Sequence, residues 1–207
     1  RLTVFCAHPD LNFKGSDSED ENQEFSREFH LLNLNTPKLD VTSRLLSEAF
    51  TRKQKVLVFA LFNKCGSVIK AAGQFDEGVY WNSINGGTPQ ETRQSIIDEF
   101  SEFDGPGCLI LNPKAAGAGL NITAATVVIH FTQNWNPAIE MQASARAFRR
   151  GQEHPVRIYR LFYEDTVEEI MIERSLWKRE LGNEAVPISA RNEDDLKKVI
   201  SIKPMSI

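Results

Sequence analysis

No run of about 18 or more apolar residues, the length a bilayer-crossing helix needs, occurs in this sequence. Its N-terminus also lacks the basic, apolar and small-residue pattern of a secretory signal. Nothing therefore addresses the chain to a membrane or a secretory route. Cysteine is scarce: Cys6, Cys65 and Cys108 stand far apart without a C-x-x-C, and His8, His30, His130 and His154 form no ligand spacing with them. That pattern argues against a metal site and makes a reducing compartment the simplest setting. Charge of one sign is not in large excess. The formal net charge is −4, which argues against a domain that grips nucleic acid by bulk attraction alone, so any phosphate contact must be local. A phosphate-cradling G-x-x-x-x-G-K-[ST] loop is missing, as are internal repeats and low-complexity tracts. There is no initiating Met, and the opening "RLTVFCAHPDL" reads as a fragment of something longer.

What is present looks like an ordinary globular domain. Of 207 residues, 41% are hydrophobic and 25% charged, which fits one α/β domain with short appendages. From Lys55 onward, short apolar runs alternate with amphipathic ones: "KVLVFALF" (55–62), "VYWNSI" (79–84), "CLILN" (108–112), "TVVIHF" (126–131) and "VRIYRLF" (156–162). Runs rich in Val and Ile read as strands buried on both faces. Helices are expected at about 64–76, 88–103, 136–150 and 165–181. Such alternation predicts right-handed crossovers and a doubly wound parallel sheet of about five strands. Upstream, "LLSEAFTR" completes a helix from about Val41, with Thr36-Pro37 as its start signal. The acidic "GSDSEDENQE" (15–24) reads as a solvated loop, and the tail offers a short helix near 193–200. The resulting division is an N-terminal segment 1–35, a domain 36–182 and a tail 183–207.

In such a sheet ligands gather outside the carboxyl ends of the strands. The loop after Asn112, "PKAAGAGLN", holds Lys114, Gly117 and Gly119. Its glycines serve either a tight turn or the close approach of an anion to free N–H groups. The next loop, "TQNWNP", ends in Asn136, a good N-cap, and Pro137, suited to the first helical position, while Gly151 suits the left-handed position after the last turn. A helix over about 137–150 places Gln142, Arg146 and Arg149 on one face, with Ile139, Ala143 and Ala147 toward the sheet. Arginines there can be solvated or can answer the helix dipole. The small neighbours Ala143, Ser144, Ala145 and Ala147 also leave room for a phosphate, which the planar guanidinium fork suits.

"KVLVFALF", "INGGTPQETRQSIIDEF", "LNPKAAGAGLNITAATVVIHFTQNWNPAIEMQASARAFRRGQ" and "VRIYRLFYEDTVEEIM", in that order, resemble the second RecA-like lobe of superfamily 2 helicases. The Trp-Asn-Pro lead-in points specifically to the Snf2-like (SWI2/SNF2) branch, and the likeness covers Thr36 to Leu181. It implies a RecA-like (P-loop NTPase-type) sheet of about five to six strands with helices on both faces, the C-terminal motor lobe of an ATP-dependent double-stranded DNA translocase. The resemblance casts Arg149 as arginine finger, with Arg146 supporting the phosphates or the lobe contact. Gln142, Gly117, Gly119 and Asn121 take the nucleotide side, and Lys114, Gly86, Thr88 and Lys64 the DNA backbone. ATP and Mg2+ would be bound mainly by an N-terminal RecA-like lobe, which is the implied partner together with double-stranded DNA, in an intracellular setting. This chain alone would not hydrolyse ATP. A strand-separating helicase lobe and a degenerate, non-catalytic interaction module are the alternatives. Several positions depart from the family: Asn112-Pro113 stands for Ser-Thr, Ala116-Gly117 for a double glycine, Thr132 lies near a usual Asp, Phe148 replaces a frequent His and Arg150 an aliphatic residue.

Overall fold

The computed structural model describes residues 2–7, 36–75, 78–115, 120–148, 152 and 154–183. The acidic stretch 15–24 and the helix expected near 193–200 lie outside the described residues. A short helix, α1 (Leu2–Ala7), is followed by α2 (Pro37–Thr51). The Thr36-Pro37 start signal operates: the Thr36 side chain accepts from the Leu39 N–H at 3.3 Å, and Pro37 occupies the first turn. The helix ends in a Schellman motif, with Gln54 N donating to Ala49 O and Lys53 N to Phe50 O, both at 2.9 Å. Lys53 takes the left-handed position at φ 53°, where glycine is the usual choice because a Cβ is disfavoured.

The rest alternates as β1 (Lys55–Phe59), α3 (Cys65–Gly73), β2 (Tyr80–Ile84), α4 (Gln90–Glu102), β3 (Gly107–Leu111), β4 (Val127–His130), α5 (Pro137–Ser144), β5 (Arg157–Arg160) and α6 (Val167–Asn183). All pairings are parallel, in the order β2-β3-β1-β4-β5. Alternate residues of each central strand face opposite sides. Val56, Val58, Cys108, Ile110, Val127 and Ile129 pack with Leu39, Leu46 and Ala49 of α2 and with Val68 and Ile69 of α3. Leu57, Phe59, Leu109, Leu111 and Val128 pack on the other side with Ile96, Ile97 and Phe100 of α4 and Ala143 of α5. The connection through α3 moves toward β2 on one face, whereas those through α4 and α5 move back across the sheet on the other. Reversing direction and face together keeps every crossover right-handed.

Two expectations need correction. The five strands are not all buried on both faces: at the sheet edge, β5 exposes Arg157 and Ile158, the latter by 39%, because an edge strand has a neighbour on one side only. Second, α5 stops at Ser144 instead of running to about 150. Arg146 N and Ala147 N turn back to Ala143 O and Ser144 O, both at 3.1 Å, three residues away instead of four. The Arg146 carbonyl, which a continuing helix would offer to residue 150, accepts from Ile122 N at 3.1 Å. No helix among the described residues is long and apolar enough to cross a membrane.

His130 fastens α5 to the sheet. It is fully buried at the end of β4, its Nε2 lies 2.8 Å from Ser144 Oγ, and its ring stacks on Phe59 at 5.2 Å. Burial, helped by the nearby Arg160 cation, pushes its pKa down from 6.5 to about 3. The folded state therefore resists a proton that the unfolded chain accepts. The contribution is whole above pH 6.5 and lost progressively as pH falls toward 3. At pH 5 the loss is about 2 kcal/mol. Urea unfolding of the wild type and of His130→Gln at pH 7 and pH 5 reads it: the stability gap between them narrows by about that amount at the lower pH, and a constant gap contradicts the assignment.

Candidate nucleotide and nucleic-acid interface

The loops that leave the carboxyl ends of the strands are braced by side chains bonded to backbone. After β1, Leu61 is held from both sides: its N–H donates to Thr132 Oγ1 at 2.9 Å, and its carbonyl accepts from Asn112 Nδ2 at 3.0 Å. The Asn112 Oδ1 in turn accepts from Lys114 N at 3.0 Å. These two departures from the family pattern thus replace a hydroxyl and a carboxylate by groups that lock three loops together. Lys114 itself is exposed.

After β2, residues 85–88 form a tight turn, with Thr88 N donating to Asn85 O at 3.3 Å. The Thr88 hydroxyl accepts from Asn85 N at 3.1 Å, and Gly87 N donates to Asn85 Oδ1 at 2.9 Å. Gly86 is exposed, and a Cβ added there would meet nothing within 4 Å. Neither sterics nor a left-handed φ explains that glycine. Arg93, on α4, spans the turn and the next loop, donating to Thr88 O at 2.7 Å, Asn85 O at 3.3 Å, Gly86 O at 3.4 Å and Ala115 O at 3.4 Å. It brings Gly86 and Thr88 to the segment carrying Lys114. Lys64, part-exposed, precedes α3 after the neighbouring strand.

After β4 the chain runs through Trp135, 43% exposed, into α5. The Asn136 side chain caps α5 by accepting from Ala138 N at 3.1 Å, as its sequence position predicts. Buried Glu140 reaches back from α5, accepting from Asn134 N at 2.7 Å, with Arg160 Nε 3.6 Å from its other oxygen. Burial raises its pKa, while the Asn134 bond and Arg160 pull the other way. Gln133 donates to Leu161 O at 2.7 Å. The lead-in is therefore tied to both α5 and the exit of β5.

The shared face expected of Gln142 and Arg146 does not form on α5, and Arg149 lies outside the described residues. Gln142 is exposed, whereas Arg146, beyond the helix end, is only 8% exposed and donates from Nη1 to Leu120 O at 3.3 Å. Together with the Ile122 bond to its carbonyl, this holds segment 120–122 against the end of α5. Asn121, between the two, stays exposed. Gly117, Gly119 and Arg149, with Ala116, Arg150 and Gly151, lie outside the described residues. Gln152 is a further brace, donating to Thr123 O, Ala125 O and Ala147 O at 2.8, 3.0 and 3.3 Å. Sequence reading missed Arg93 and Gln152 as braces. A polar side chain beside a loop carries no local sign that it will satisfy three or four distant carbonyls. Among the described residues, no three of His, Cys, Asp and Glu stand close enough to hold a metal ion.

Comparison with known proteins fits this arrangement. The helicase conserved C-terminal domain family matches residues 37–151. The mouse SWI/SNF-related matrix-associated actin-dependent regulator of chromatin subfamily A member 1 is 30% identical over 184 residues, covering 88% of this chain and 17% of the relative. The ISWI chromatin-remodeling complex ATPase ISW1 of Saccharomyces cerevisiae is 30% identical over 199 residues, covering 96% of this chain and 17% of that protein. A solved structure of the C-terminal part of the Fun30 ATPase domain superposes with a TM-score of 0.63 at 28% identity, over 75% of this chain and 52% of that one. The chain thus spans about a sixth of the length of these two relatives.

Proposed function

We propose, from the premise that this chain belongs to the Snf2-like branch of the helicase C-terminal domain family as its C-terminal RecA-like lobe, that it is one of two motor lobes of an ATP-dependent double-stranded DNA translocase. One observation carries the reading. The strand-end loops that hold Gly86, Thr88 and Lys114 are bound into one unit through Arg93, on the same end of the sheet as the exposed Gln142. A lobe that must hand nucleotide contacts on to a DNA track needs those two sets of groups mechanically joined.

In this proposal ATP is the substrate, and Mg2+ is held by the other lobe. The Gln142 amide is exposed, with a donor and an acceptor to offer a nucleotide. Arg149 would reach the γ-phosphate, and Arg146 would position segment 120–122 beside it. Closure on the nucleotide and reopening after hydrolysis would be a population shift driven by the difference in these contacts between the two states. Lys114, Lys64, Thr88 and Gly86 would follow the DNA backbone, Gly86 by letting a phosphate approach a bare Cα. The Thr88 hydroxyl accepts from Asn85 N at 3.1 Å and donates to Asn85 Oδ1 at a long 3.5 Å, so it would contact a phosphate by giving up that weak donor bond.

Triplex-displacement and strand-separation assays on a protein carrying both lobes test the reading: displacement without strand separation is expected, and strand separation would favour a helicase of another branch. Lys114→Ala should weaken DNA binding evenly across sequences and lower the slope of log affinity against log salt by about 1. An unchanged slope removes Lys114 from the track. The 207-residue chain alone, at net charge −4, should bind DNA only weakly and lose that binding as salt rises.

A further inference from the structure

At the amino ends of the strands, opposite the loops described above, a cavity of about 580 Å³ opens between the starts of β1, β4 and β5. Lys55 and Arg157 on its wall are the first residues of β1 and β5, and Thr126 immediately precedes β4. The wall carries the cations Lys53, Lys55 and Arg157, with Asp104 as the single carboxylate among the described lining residues. In a chain of net charge −4, this local sign is the reverse of the average. Phe103 adds a part-exposed ring, and the volume falls in the range of small-molecule pockets.

Lysine 53 gives the cavity a second, independent signal. It occupies the glycine position of the Schellman motif at φ 53°, a conformation that strains any side chain with a Cβ. What a lysine brings there is its ammonium group. Lys53 and Arg157 are exposed and make no ion pair among the described residues. Lys55 uses one of its three N–H donors on Ser101 O at 2.7 Å and keeps two.

We propose that this cavity binds a small phosphate-bearing molecule with a planar ring, of mononucleotide size, with Lys53 and Arg157 taking the phosphate and Phe103 the ring. The site is separate from the carboxyl-end interface and does not depend on it.

Titrating the 207-residue chain with inorganic phosphate, ribose 5-phosphate and AMP, while following the backbone amide shifts of Gln54 and Gly105, tests this directly. All three should give saturable shifts there, with AMP binding tightest. Lys53→Ala and Arg157→Ala should each weaken AMP by about fivefold, as for one exposed charge pair. Phe103→Leu should bring AMP down to the affinity of ribose 5-phosphate. Lys53→Gly should relieve the backbone, raising Tm by about 2 °C, yet weaken AMP as much as Lys53→Ala does. That combination is one a purely structural lysine would not produce. Shifts confined to Asn121 and Gln142 would overturn the proposal, as would unchanged AMP affinity in both cation variants. AMP binding no tighter than ribose 5-phosphate would do the same, and so would displacement of AMP by a duplex oligonucleotide at lower concentration, which would make the cavity part of a DNA track.

Discussion

Arg149→Ala, in a protein carrying both motor lobes, is expected to lower DNA-stimulated ATP turnover by about 10³ to 10⁵-fold, the range known for arginine fingers, and to leave the melting temperature unchanged if Arg149 is the finger proposed above. The rate factor corresponds to about 4 to 7 kcal/mol of transition-state stabilisation. It is that large because the guanidinium would offset charge developing on the transferred phosphoryl oxygens in a cleft from which water is excluded. Arg149→Lys should recover little, since a single ammonium cannot reproduce the bidentate fork. Arg146→Ala provides the contrast. Arg146 is buried and holds Leu120 O, so its loss should lower melting temperature and turnover together. Steady-state phosphate release and thermal melts on the two variants separate the roles. Near-normal turnover in Arg149→Ala would remove it as the finger.

Why Arg146 lies in the interior was not legible in the sequence. The small-residue run after Pro137 carries helical periodicity as far as Gly151, and periodicity alone extends the helix that far. What ends it is Ile122 N, 24 positions upstream of the Arg146 carbonyl it bonds. By contrast, β1, β3 and β4 were readable because strands covered by helices on both faces read as near-continuous apolar runs, with Lys55 and His130 only at strand ends. The starts of α2 and α5 were readable because an N-cap and a following Pro act within a few residues. The same distinction divides the candidate site. Lys114, Gly86 and Gln142, which are exposed, were singled out by motif order, whereas Arg93 and Gln152 work through partners in other loops. Asn112 and Thr132 were visible as departures from the family, but their joint grip on Leu61 needed the strand exits side by side.

The largest expected effect on stability belongs to another pair far apart in sequence. Lys38, in the first turn of α2, and Glu168, in the first turn of α6, are each 2% exposed, with Lys38 Nζ 2.7 and 2.6 Å from the two carboxylate oxygens. The ammonium also lies 4.9 Å from the Tyr163 ring centre and 5.7 Å from that of Phe131, and Tyr163 N donates to Glu168 Oε2 at 3.2 Å. Burial pushes the Lys38 pKa down and the Glu168 pKa up, and their mutual attraction is the largest influence pulling each back, with the Tyr163 N–H also favouring the Glu168 carboxylate. Each charge is therefore tolerated because the other is present. Glu168→Gln leaves an ammonium with no counter-charge in an aromatic pocket, and should destabilise the chain by about 3 to 5 kcal/mol, a fall in Tm of roughly 10 °C. Lys38→Met alone strands the carboxylate and should do comparable damage. If the cost comes from an orphaned charge, Lys38→Met combined with Glu168→Leu should regain most of the loss, because apolar replacements of a buried pair are often neutral or better. A double variant as unstable as the sum of the singles would instead show the two residues to be uncoupled, each stabilising the chain through its own packing and not through the pair that joins α2 to α6.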